Sequence, residues 1–221
     1  MQAADAGQPG VKALLSPGLQ QAVAELRVRL GSGNRTMLGI VGAPGSGKST
    51  FAACLSELLG PDCAVVVPMD GFHLGNAVIE GTALAARKGA IDTFDGGGYL
   101  SLLQRLARRD EAVVYAPDFR RSIEEPVAAS IAIPAGVPLV ITEGNYLLAD
   151  EPQWRQVRAQ LDEVWFLDAP EDLRLSRLVD RHVMFGKDRP TAEAWSNGPD
   201  AANARLIEAT RHAADRIIPW S

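Results

Sequence analysis

An α/β fold, a mainly parallel sheet with helices on both faces, is predicted by three observations. Short apolar runs alternate with segments of helical periodicity. The runs are apolar throughout, as in strands covered on both sides. The first of them passes through a glycine-rich turn directly into a helix, and such strand–helix alternation implies parallel pairing.

Taken in order, Leu19, Val23, Leu26 and Leu30 recur at helical spacing and Gly31-Ser32-Gly33-Asn34 ends the run, giving a packing helix over about 17–31. Residues 37–41 form the first strand, and the helix after the glycine-rich turn continues to Leu59, where Gly60-Pro61 stops it. Further strands are expected at 64–68, 112–115, 139–142 and 164–167, and helices at 99–108, 171–183 and 201–216. Asp168 is placed to cap the 171–183 helix, with Pro170 in its first turn and Glu171 completing a capping box. Gly96-Gly97-Gly98 reads as a hinge and 184–199 as a loop-rich stretch.

A chain of 221 residues with 47% apolar composition can bury one large core, so residues 1–221 are read as a single domain. No apolar run approaches the roughly 18 residues of a membrane span, and residues 1–10 lack both a basic start and an apolar stretch. A soluble, cytoplasmic protein with no membrane partner is expected. Cys54 and Cys63 support neither a disulfide framework nor a metal site and read as buried thiols. A net charge of −5 opposes a nucleic-acid partner, which would need clustered Lys and Arg.

The decisive pattern is Gly42-Ala43-Pro44-Gly45-Ser46-Gly47-Lys48-Ser49-Thr50, a phosphate-binding P-loop set between a strand and a helix. Its glycines let backbone N–H groups turn inward, and the helix start adds a positive dipole end. Lys48 would reach the β- and γ-phosphates of ATP, and the Ser49 hydroxyl would bind Mg²⁺. Phosphoryl transfer also needs acids beyond the carboxyl ends of strands. Asp70 follows the run 64–69 and Glu143 the run 138–142. Either could orient a hydroxyl, hold a Mg²⁺ water, or cap a loop.

Four segments, Asp70-Gly71-Phe72-His73, the stretch from Arg87 to Asp95, Tyr115-Ala116-Pro117-Asp118-Phe119, and the stretch from Thr142 to Leu148, resemble in order and spacing those of the uridine kinase, phosphoribulokinase and bacterial pantothenate kinase superfamily. The likeness runs from about Leu38 onward and is marked toward bacterial nucleoside/nucleotide kinase-like and fructose transport system kinase-like proteins. It implies a P-loop NTP hydrolase fold and an ATP-dependent small-molecule kinase, with Asp70 as catalytic base and Glu143 as the Mg²⁺ acid, direct or through water. Gly71-Phe72-His73 stands where uridine kinases read Ser-Phe-Tyr, which points away from a nucleoside. Many relatives are dimers, so a homodimer is an expectation of the resemblance.

His73 could donate to the acceptor or face solvent. Arg87 and Lys88, near Asp92 and Asp95, could grip the acceptor or form surface ion pairs; the resemblance favours contact for Arg87 and Asp92, and adds Asn145. Tyr115 with Arg120 or Arg121 suits a sugar or carboxylate. Arg174, Arg177 and Arg181 share a helix face followed by a polar loop, which reads as a lid over about 174–199, with Arg177 and Arg181 closing on the γ-phosphate. By resemblance, Asn203 and Arg216-Ile217-Ile218 border the adenine. The expected function is transfer of the γ-phosphoryl group to a sugar such as fructose or a pantothenate-like alcohol, with a nucleoside kinase or a nucleotide-gated regulatory ATPase as the alternatives.

Overall fold

The computed structural model describes residues 17–31 and 33–221; the reading of segment 1–10, and Ser32 after the first helix, lie outside them. The chain runs α1 (Pro17–Leu30), β1 (Thr36–Val41), α2 (Lys48–Leu59), β2 (Ala64–Pro68), a short α3 (Asn76–Ile79), α4 (Gly96–Arg108), β3 (Val113–Arg120), β4 (Glu125–Pro134), β5 (Leu139–Glu143), α5 (Pro152–Arg158), β6 (Glu163–Asp168), α6 (Glu171–Met184), α7 (Arg189–Trp195), α8 (Ala201–Ala209) and β7 (Arg216–Pro219). Five strands form a parallel sheet in the order β2-β5-β1-β6-β7, and β3 and β4 form a separate antiparallel pair.

Every residue of β1 and β5 is buried, which is why both read as unbroken apolar runs. On one face Leu38, Ile40, Leu139, Ile141 and Trp165 pack against Leu19, Ala22 and Leu26 of α1 and Phe51 and Leu55 of α2. On the other, Met37, Val41, Val140, Val164 and Phe166 meet Tyr99, Leu103 and Leu106 of α4 and Trp154 of α5. The α/β architecture is therefore the one the sequence implies. Among the described residues no helix is long and apolar enough to cross a membrane.

Several local expectations are corrected. The 112–115 strand is not part of the parallel sheet: it opens the β3–β4 hairpin, with Val114 and Ala116 buried and Tyr115 facing out. Asp168 does not cap α6; the cap residue is Pro170, and the Asp168 carboxylate pairs with Arg211 at 2.6 Å because Asp168 still belongs to β6. Gly96-Gly97-Gly98 is no hinge but the first turn of α4, capped by Asp95, whose carboxylate accepts from the Gly98 N–H at 2.8 Å. A side chain at Gly96 or Gly97 would press within 3.0 Å of Gln153, so the glycines let α5 approach. The 201–216 helix ends at Ala209, and Arg216, Ile217 and Ile218 form an edge strand instead. The loop-rich 184–199 stretch also holds α7, and Cys54 and Cys63 are half-buried free thiols rather than buried ones.

Candidate active site

A cavity of about 610 Å³ opens where β1, β2 and β5 end, between the α6–α7 overhang and the β3–β4 hairpin. Its floor is the phosphate loop, whose backbone only glycine tolerates at two points. Gly45 has φ +79°, and a Cβ there would lie 2.4 Å from the Arg174 carbonyl; Gly47 has φ +87°, and a Cβ would lie 2.9 Å from the Trp220 indole nitrogen. The Lys48 ammonium donates to the Gly42 carbonyl at 2.8 Å and to Ala43 at 3.3 Å, curling back over the loop. Burial, opposed by Glu143 and Asp70, lowers its pKa to about 8.

The two strand-end acids stand in different surroundings. Glu143, buried at the end of β5, accepts from the Ser49 hydroxyl at 2.8 Å. Burial, reinforced by the Asp70 charge, pushes its carboxyl above the usual range. Asp70 lies in a turn after β2, lines the cavity, and meets the Arg121 guanidinium at 3.3 Å. Behind them the Tyr99 hydroxyl bonds the Thr142 hydroxyl, which donates to the Val67 carbonyl at 2.7 Å. That relay ties α4, β5 and β2 together one layer beneath both acids.

At the hairpin end the His73 ring lies between Phe94 and Phe119, with centroids 4.1 and 4.7 Å away and planes tilted by 43° and 44°. Its Nδ1 is 2.7 Å from the Asp70 carbonyl, an obligate acceptor, so Nδ1 carries the proton. Burial, with nearby Lys88 and Arg121, lowers its pKa against the pull of Asp70, leaving Nε2 as a bare acceptor in the neutral ring.

The overhang carries cations. Arg174 is buried and clamps the phosphate loop, donating to the Pro44 carbonyl at 3.3 Å. The Arg177 Nη1 is buried with no hydrogen-bond partner among the described residues, 3.7 Å from where a Gly47 Cβ would lie. Arg181 lines the cavity, its pKa lowered by burial and then by Arg121. An orphaned guanidinium N–H beside a glycine-walled loop is what a polyphosphate would satisfy. His182 and Asp200 join α6 to the turn after α7 at 2.8 Å.

No protein-family model matches the chain. A Schizosaccharomyces pombe protein provisionally named a uridine kinase is 32% identical over 194 residues, spanning 83% of this chain and 83% of its own length. The chain belongs to the uridine kinase-like family of P-loop kinases. It is an ATP-dependent phosphotransferase. The family likeness extends to an Aspergillus versicolor ATP-dependent kinase-like protein, 36% identical over 68% of this kinase and 93% of that chain. A solved structure from Silicibacter, provisionally described as a fructose transport system kinase, is 38% identical, with a TM-score of 0.79 over 93% of this chain and 100% of that one.

Of the residues singled out in the kinase sequence, Pro44, Gly45, Gly47, Lys48, Ser49 and Thr50 line the cavity, while Gly42, Ala43 and Ser46 are buried in the loop behind it. Asp70, His73, Glu143, Asn145, Arg177, Arg181 and Asn203 also line it. Four expected acceptor contacts do not. Arg87 and Asp92 pair with each other at 2.5 Å on the surface, Arg120 turns to Asp118 at 3.6 Å, and Tyr115 is 56% exposed. Nor do Arg216, Ile217 and Ile218 line it: Arg216 pairs with Glu163 and Glu25. Lys88 and Arg121 take the places expected of their neighbours, and Phe119, Glu124, His182, Lys187, Trp195 and Asp200 complete the walls. The ladder is irregular between Ala116 and Asp118, where the single residue Pro117 stands opposite three residues of β4, 128–130; Tyr115 points out while Phe119 lines the cavity.

Proposed function

We propose that this kinase transfers the γ-phosphoryl group of ATP to a hydroxyl of a small metabolite, a sugar or pantothenate-like acceptor, with Asp70 as the base that faces that hydroxyl. One observation carries the reading. Two acids end adjacent strands beside the phosphate loop, Glu143 engaged with Ser49 and Asp70 open toward the hairpin. Such a pair separates a metal-side acid from a nucleophile-side acid. The Ser49 hydroxyl and Glu143 carboxylate are hard oxygens 2.8 Å apart, a donor set that suits Mg²⁺ completed by phosphate oxygens and water. When bound there, Mg²⁺ would neutralise charge on the β- and γ-phosphates.

The remaining work falls to the chain itself. Lys48, Arg177 and Arg181 stabilise phosphoryl charge, the α6–α7 overhang excludes water, and Asp70 takes the acceptor proton in line with the γ-phosphorus. The bare Nε2 of His73 accepts from a second acceptor hydroxyl, and Asn145 lies within the same cavity. ADP release with Mg²⁺-ATP across sugars, pantothenate and nucleosides tests this. One acceptor should raise turnover far above the water background. Asp70→Asn should lower that turnover by roughly 10²- to 10⁴-fold, and Lys48→Ala should abolish it. Full turnover in Asp70→Asn would remove Asp70 from the role of base.

A further inference from the structure

The phosphate end of the cavity accounts for Lys48, Arg177 and Arg181, but two more cations line its hairpin side, Lys88 and Arg121, the latter near enough to Arg181 to join burial in lowering its pKa. Among the described residues the Lys88 ammonium is held by neutral oxygens only, Asn76 Oδ1 at 2.7 Å and the Glu124 carbonyl. Arg121 uses one N–H toward Asp70 at 3.3 Å, its one ion pair among the described residues. Both cations lie over the Phe119 ring, 5.5 and 5.9 Å from its centroid. Three carboxylates line this part of the cavity: Asp70, Glu124 and Asp200, the last engaged by His182 at 2.8 Å.

Loop and hairpin thus bring an ammonium with no ion pair among the described residues, and a guanidinium paired there with Asp70 alone, to one aromatic ring beside the acid assigned to the reacting hydroxyl. Aromatic faces and neutral carbonyls steady such cations without neutralising them. A neutral acceptor would leave Lys88 without an ion pair and Arg121 with Asp70 alone among the described residues, whereas a carboxylate or phosphate would gain charge-assisted bonds and could take the fork bidentately. We propose that the acceptor is a hydroxylated anion, and that Lys88 and Arg121 bind its carboxylate or phosphate while Asp70 faces the hydroxyl. This rests on the kinase reading above and narrows it to charged acceptors. Because Arg121 touches Asp70, the anion and the reacting hydroxyl sit a few bonds apart. The incoming anion draws the guanidinium away from Asp70, freeing that carboxylate for the hydroxyl proton.

The test is ADP release with matched pairs: glycerol and glycerate, pantothenol and pantothenate, ribose and ribose 5-phosphate, uridine and its 5′-monophosphate. In at least one pair the charged member should be the faster acceptor, and the pairs separate carboxylate from phosphate. Arg121→Gln and Lys88→Gln should each raise the KM for that acceptor by roughly 10- to 100-fold, with the KM for ATP little changed. A neutral member that is the faster acceptor, with turnover lost in Asp70→Asn, would overturn the anion while leaving the kinase reading intact. Thermal unfolding of each protein with ADP and millimolar glycerate or ribose 5-phosphate supplies a readout independent of turnover. Stabilisation by an anion that disappears in both variants supports the proposal, and equal effects of charged and neutral members, or of variants and parent, overturn it.

Discussion

Lys48 carries a titration that nucleotide binding should expose. With its pKa near 8, about half of the unliganded protein holds a neutral amine at pH 8. Phosphate oxygens favour the ammonium, so nucleotide binding should take up about half a proton at pH 8, close to one at pH 9, and almost none below pH 7. Burial raises the pKa of the Glu143 carboxyl, which faces the metal position, so the measurement is ATP binding in EDTA, free of any metal-linked titration, by calorimetry in buffers of different protonation enthalpy. Lys48→Arg, which does not titrate, should abolish the uptake; uptake that persists in that variant rules out Lys48 as its source. The lysine was legible because its partners are contiguous in sequence and fixed by one turn. Arg121 was not separable from Arg120, since the ladder irregularity beside them lies in the partner strand, at 128–130, and leaves no signature in Tyr115–Arg121 beyond Pro117.

Among the elements, α6 divides into an anchored half and an overhanging half. Arg174 holds the first half to the phosphate loop through Pro44, and the Arg174 carbonyl abuts Gly45. Arg177 and Arg181 follow one and two turns later, over the cavity. Gly45→Ala should strain a positive-φ position and push α6 off the loop together. A loss of about 1–3 kcal/mol of stability in denaturant unfolding and a drop in ATP affinity of at least about tenfold are expected. An alanine variant that binds ATP normally would show that the clamp is unimportant. The helix itself was readable from its periodicity, and its arginines from their spacing. Neither α5, with seven residues, nor β4, whose ten residues mix small and polar side chains, offers enough pattern to be seen without the partners they pack against.

At the scale of the whole molecule, Arg35 fastens the sheet to its surroundings. Its guanidinium donates to the carbonyls of Val137 and Leu106, each at 2.9 Å, and of Pro134 at 2.7 Å, joining the end of α4, the end of β4 and the entry to β5 next to β1. Arg35→Met strips those carbonyls of their donor and should cost about 2–3 kcal/mol in chemical denaturation, with acceptor KM unchanged because Arg35 is remote from the cavity. The parallel core was legible because strands buried on both faces advertise themselves as apolar runs. The hairpin and the acceptor wall were not, because they are assembled from half-exposed segments whose facing is set only by tertiary contact.

The central position of β1 also bears on how the protein is made and lost. Thr36 pairs with Leu139 and Leu38 with Glu163, so the strand that leads into the phosphate loop waits for neighbours supplied by the second half of the chain. Such distant pairings are slow to form, and the loop has no firm seat until they do. ATP can recognise only the finished arrangement. In stopped-flow experiments saturating nucleotide should therefore leave the refolding rate nearly untouched and act almost entirely by slowing unfolding, so that the bound substrate prolongs the lifetime of the protein without helping it to be born.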